Sequence, residues 1–218
     1  MSTNTSKVSN PSPASGTSAP AEHNTSASAD RDRSAQAGPL AQSVARSTRR
    51  YLRQIDQLDL EQLRRVPAED EWSLGQMYMH LAGSALHMQL ANAKRCLEAA
   101  ASGKPSQPLL KTPLGEALFE AGSFPPERVK VPPSPQYTPA QPESKEQLRS
   151  ALQQVVACVS EMEASAIADR SGHTQAHPRF GNLTASEWVT VTEMHYRHHF
   201  LQEERLLKEL GLATAPAN

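Results

Sequence analysis

The chain has 218 residues, with 22 Lys or Arg against 23 Asp or Glu and a formal net charge of -1. That length holds one sizeable hydrophobic core, and the charge balance provides no basic field for nucleic acid or an anionic membrane surface. Only two cysteines occur, Cys96 and Cys158, in helical patterns and with no CxxC partner. This argues against a disulfide framework and a zinc knuckle, and both thiols read as small buried hydrophobes. No apolar run is long enough to span a bilayer. The residues before Leu40 carry neither a basic n-region nor an apolar h-region, which argues against a secretory signal and makes the cytoplasm the expected location.

From Met1 to about Gly38 the sequence is Ser, Thr, Pro, Ala and Asn with almost no large apolar residue. Such a composition cannot offset the entropy of ordering a chain, so residues 1–38 are expected to be a disordered tail. The folded domain is expected over 39–212, with a flexible end at 213–218. Its first helix runs from about Leu40 to Leu58, with Leu40, Val44, Tyr51, Ile55 and Leu58 at helical spacing. A short turn starts at Asp59 and ends before Pro67. The second helix begins at Ser73 and reaches about Ala101, stopped by Gly103 and Pro105. After a proline-rich stretch of roughly forty residues comes the third, from Ser144 to about Ala168, and then the fourth, from Thr184 to about Leu210. Ser73-x-x-Gln76, Ser144-x-x-Gln147 and Thr184-x-x-Glu187 each fit the capping box that satisfies orphan N–H groups at a helix start.

Bundle loops usually run about 2–8 residues, so the proline-rich connection is either functional or a crossover. Leu114 to Glu120 reads as a short helix within it, and Phe119, Phe124 and Val129 suggest that it packs on the domain. No strand-like alternation stands out. The expected class is all-α, a four-helix bundle. Arg46, Arg49, Arg50 and Arg53 make a short basic patch on the first helix, but no nucleic-acid recognition motif accompanies it and it reads as a solvated face.

Histidines carry the chemical signal. His195 and His199 are four apart, on one face of the fourth helix about one turn apart. A wheel at about 100° per residue puts them in a stripe with Trp188, Thr192 and Leu206, and turns Glu193, Arg197 and Glu204 to the far side. Imidazoles so placed can chelate one ion. On the second helix His80 and His87 both lie between apolar stripes, but about 10.5 Å of rise separates them, so only one can join the pair. His80 lies nearer the helix start, in the tighter sequence context. A three-histidine set with open positions is the pattern of a catalytic metal site. His87, His173 and His177 otherwise read as core histidines, and His23 belongs to the tail. Gln202 and His198 are placed to orient ligands, whereas Glu193 and Glu203 read as solvated, so no general base is evident. Gly181 and Phe180 of HPRFG read as turn and staple chemistry, with His177 or Arg179 as a minor candidate for touching substrate. Trp72 and Trp188, each at a helix start, read as packing residues, with pocket lining as the alternative.

WSLGQMYMHLAGS, HPRFGNLTASEW and HYRHHFLQE, in that order, resemble the DinB-like superfamily of bacterial metal-binding four-helix proteins, over about Ala41 to Leu210. The resemblance implies an up-down-down-up bundle with its long connection between helices two and three. It also implies a divalent metal held by His80, His195 and His199. Zinc is the first expectation, with nickel, iron or manganese as others, because imidazole suits several metals. Activities known in the superfamily are thiol-dependent, which implies a small-molecule substrate, a low-molecular-weight thiol as partner and, by analogy, a homodimer. The expected function is thus a metal-dependent thiol transferase or hydrolase, with no catalytic residue assigned. The alternative is a non-catalytic bundle in which metal or ligand serves structure.

Overall fold

The computed structural model describes residues 37–103, 106, 108–127 and 138–216. Most of the expected tail therefore lies outside the described residues, as do Val129 and positions 130–137 of the proline-rich segment. The described elements are α1 (Pro39–Gln57), α2 (Leu60–Arg64), α3 (Leu74–Ser84), a π-helical turn (Ala85–Gln89), α4 (Leu90–Ala101), α5 (Pro113–Ala121), α6 (Lys145–Ala168), β1 (Thr174–His177), β2 (Gly181–Thr184) and α7 (Ala185–Glu209). The chain is mostly helical, as expected. No helix among the described residues is long and apolar enough to cross a membrane.

Side-chain caps fix most helix starts. Ser73 with Gln76 and Thr184 with Glu187 close both halves of the capping box, and Asp59 with Gln62 forms a third on α2. The box expected at Ser144 is half made. Ser144 Oγ accepts from Gln147 N, but Gln147 Oε1 turns to Glu143 N instead. Helix α1 has no side-chain cap of its own, since Gly38 precedes Pro39. The buried carboxylate of Glu163, on α6, accepts from the N–H groups of Leu40 (2.9 Å) and Ala41 (3.0 Å). A negative charge there satisfies orphan donors and opposes the positive end of the helix dipole.

Helix α7 packs against α1, α3, α4 and α6, around a core that includes Tyr51, Ile55, Met77, Tyr78, Leu81, Val155, Trp188, Tyr196 and Leu206. Being surrounded, α7 hides carboxylates that a one-faced wheel assigns to solvent. Glu193 is buried, accepting from Ser43 Oγ (2.7 Å) and from Arg197 (2.7 and 3.0 Å). Glu203 is 1% exposed, accepting from Tyr78 Oη (2.7 Å) and Arg50 Nε (3.0 Å). Neither is solvated, contrary to the wheel, because α1 covers the side of α7 that the wheel leaves open. Arg50 leaves the expected basic face by the same contact, its guanidinium 4.1 Å over the Phe200 ring.

Among the described residues, the hairpin of β1 and β2 is the departure from an all-helical reading. The strands pair antiparallel with Thr174 opposite Thr184 and His177 opposite Gly181. Four residues per strand give too little alternation to read. The crossover is zipped to the hairpin's other edge: Asn182 N donates to Leu110 O (2.8 Å) and Thr112 N to Phe180 O (3.1 Å). Gly181 makes this possible. Its φ is 82°, and a Cβ there would lie 2.5 Å from Leu110 O, a place only glycine fits. Lys111 adds an ion pair to Glu187 (2.6 Å) at the start of α7. The short helix expected at Leu114–Glu120 is α5, and Phe119 and Phe124 pack on the core as expected.

Candidate metal centre

Helix α3 presents His80 and helix α7 presents His195 and His199, and the three rings meet. Nε2 of His195 lies 3.2 Å from Nε2 of His80 and 3.0 Å from Nε2 of His199. One ligand atom from each ring lies within 4.8 Å of those of the other two. Capping at Ser73 sets the start of α3, so that His80 falls two turns in, level with the middle of α7.

The donor chemistry of this cluster is unbalanced without a cation. A ring nitrogen carries either one hydrogen or one lone pair, so Nε2 of His195 can satisfy only one of its two neighbours. Burial, first of all, lowers each pKa: His80 to about 4, His199 to about 3, and His195 well below its ordinary value, with His199 and His80 adding to the last. Neutral at neutral pH, each ring keeps one nitrogen lone pair that an ion could take, in a partly dry site. An ion with Zn–N bonds of about 2.0–2.1 Å and tetrahedral angles sets its nitrogens about 3.3 Å apart. The observed spacings of 3.0 and 3.2 Å suit such an ion.

The far nitrogens have their own surroundings. Ser84 Oγ is 3.3 Å from His80 Nδ1, and Gln89 Nε2 is 3.3 Å from His195 Nδ1. His199 Nδ1 is buried with no hydrogen-bond partner among the described residues. Above the rings opens a pocket of about 390 Å³, to which Trp72, Phe124, Leu201, His198, Gln202 and Arg179 contribute. The Trp72 ring stands 5.0 Å from His80, so Trp72 lines the site as well as packing there. Phe124 reaches in from the crossover, 5.9 Å from His195 and 5.4 Å from His198.

Other residues singled out by sequence fall elsewhere. His87 is exposed, not inward as the wheel had it, because the π turn rotates it off the face of His80. His177 is part of the hairpin. Its Nδ1 accepts from Arg179 N (3.1 Å) and Phe180 N (3.2 Å), and its ring stacks on Phe180 at 4.1 Å. HPRFG is therefore a histidine-braced turn, and only Arg179 of it reaches the pocket. Trp188 is fully buried. Cys96 is buried, its thiol pushed up to about 11 chiefly by burial, while Cys158 is half-buried; both are free. Ser84 and Gln89 escaped the sequence reading. The i+4 spacing from His80 could have marked Ser84, but no local pattern marks Gln89.

Residues 44–202 match the model of the DinB superfamily. No curated protein and no solved structure matches the chain. The family match spans well over half of the sequence and takes in all three histidines, in agreement with the resemblance read from the motifs: the chain belongs to the DinB superfamily.

Proposed function

We propose that this protein binds one divalent metal ion, zinc in the first instance, through Nε2 of His80, His195 and His199, and uses it on a small molecule held in the pocket above. The convergence of three neutral Nε2 atoms at 3.0 and 3.2 Å carries the reading. An ion held by three uncharged ligands keeps its full charge and lowers the pKa of a bound water or thiol. Thiol transfer to an electrophile is the favoured reaction, with hydrolysis as its competitor. The chain's own residues shape what enters: Trp72, Phe124 and Leu201 offer an apolar wall, and Arg179 and Gln202 offer donors.

The bundle is read as up-down-down-up. Ser43 and Arg50 meet Glu193 and Glu203 in rising order along α1 and α7. Leu40 meets Glu163 while Asp56 meets Arg149, in falling order along α6. Tyr78 meets Glu203 while Gln89 meets His195, again in falling order. A cytoplasmic homodimer with a low-molecular-weight thiol as co-substrate completes the proposal.

A second reading is favoured by one observation. Both buried carboxylates of α7 are engaged, Glu193 by Ser43 and Arg197 and Glu203 by Tyr78 and Arg50, leaving neither free as a base. In that reading the metal or a ligand serves structure alone. The test is elemental analysis of untagged protein, wild type against His80→Ala, followed by turnover assays with a thiol and an electrophile. One metal per chain, lost in the variant, with thiol consumption lost alongside it, is the expected result. Stoichiometric metal without turnover favours the structural reading, and metal-free wild-type protein overturns both.

A further inference from the structure

The helix that bears His80 contains a π turn at Ala85–Gln89, where Leu90 N donates to Ala85 O across five residues. Single π turns inside α-helices cluster at functional sites because one extra residue shifts the register of everything beyond it. The effect here can be followed. At about 100° per residue, position 89 of an uninterrupted helix would point about 180° away from position 80. An inserted residue turns it back by about 100°, onto the side that faces α7. Gln89 is accordingly 2% exposed and reaches His195, while His87 is swung out to solvent.

The hydrogen bonding at Gln89 is incomplete in an informative way. Its Nε2 lies 3.3 Å from His195 Nδ1, and its Oε1 is buried with no partner among the described residues. A His195 that offers its Nε2 lone pair to an ion carries its hydrogen on Nδ1, and that hydrogen needs an acceptor. A half-turn of the amide puts the orphaned Oε1 where Nε2 stands, within reach of that hydrogen. We infer that Gln89 is a positioning residue for the metal centre: delivered by the π turn, it accepts from Nδ1–H of His195 and holds that ring with Nε2 turned to the ion. Ser84 stands to His80 as Gln89 stands to His195, but from within regular helix and without an orphaned atom.

The inference rests on the proposed metal site, and the experiment separates the two. Zinc affinity is measured by competition with a chromophoric chelator for wild type, Gln89→Met and Gln89→Glu, with thermal melts of the metal-free proteins alongside. Methionine keeps the bulk and removes the acceptor, so zinc affinity is expected to fall about 10–100-fold. Glutamate restores an acceptor oxygen and is expected to bind zinc at least as tightly as wild type, an order that a purely packing role would not produce. Nitrogen-15 NMR of the zinc-loaded wild type reads the tautomer directly, independently of whether either variant folds, and should place the His195 hydrogen on Nδ1. Zinc binding by Gln89→Met equal to wild type, or a glutamate variant as weak as the methionine one, overturns the inference while leaving the metal site standing; zinc on Nδ1 of His195 overturns the inference and the Nε2 coordination together. A wild-type protein that binds no zinc overturns both.

Discussion

Two buried polar clusters share helix α7, with His199 of one a turn from Glu203 of the other, and they are built on opposite principles. Around Glu203 the groups answer one another: a carboxylate takes a hydrogen from Tyr78 and from Arg50, and the guanidinium goes on to Glu204 at 2.8 Å. Burial raises the Glu203 pKa, while Tyr78 and Arg50 pull it back. Around His195 the groups repeat one another: three rings whose burial favours the neutral form turn like atoms to a common point. The first cluster is closed and can only hold helices together. The second is open, and its three rings could hold a cation. Burial alone does not mark a functional site; a surplus of one kind of polar atom, aimed at one place beneath a pocket, does.

Breaking each cluster should therefore have opposite consequences, beginning with the triad. His195→Ala is expected to abolish stoichiometric zinc by elemental analysis, yet to lower the stability of the metal-free protein less than Glu203→Leu does, since it breaks no ion pair. Glu203→Leu should do the reverse, retaining zinc in whatever fraction folds. Removing one partner of a buried ion pair costs about 3–5 kcal/mol, which urea unfolding will register. The cap on α1 offers a milder version of the closed cluster. Glu163→Gln keeps one acceptor and loses the charge, with an expected loss of about 1–3 kcal/mol and no change in zinc stoichiometry.

A last effect, confined to acid pH, concerns a histidine that is satisfied without metal. Burial, with Arg179 adding to it, lowers the His177 pKa to about 4, and its Nδ1 is occupied as an acceptor. The folded state thus binds fewer protons than the unfolded chain, whose histidine titrates at about 6.5. Its contribution to stability is complete above about pH 6.5 and is lost as pH falls toward about 4. Metal-free His177→Asn should show a shallower acid loss than wild type in that window, by at most about 1.4 kcal/mol per pH unit. The triad titrates in the same direction in both proteins, so it cancels in the difference.

Much of this was legible in the sequence, for reasons that also explain where legibility ends. Ser73, Asp59 and Thr184 write their helix starts in local chemistry, and His195 with His199 needs only the helical repeat to share a face. Pairing them with His80 rests on two rods meeting at the right height, which the motifs of a known family supplied. A wheel cannot see the π turn, so His87 seemed inward and Gln89 went unnoticed. Nor can it see a helix packed on several sides, so Glu193 and Glu203 seemed solvated. The hairpin was hidden because each strand has only four residues and its outer edge bonds to the distant residues Leu110 and Thr112.

X-ray absorption of the zinc-loaded protein at neutral pH tests the central claim most directly. Three imidazole nitrogens at about 2.0–2.1 Å with one or two oxygen ligands from solvent, reduced to two imidazoles or to no bound metal in His80→Ala, is the predicted result. A zinc shell containing sulfur from Cys96 or Cys158, or one unchanged by His80→Ala, would contradict it.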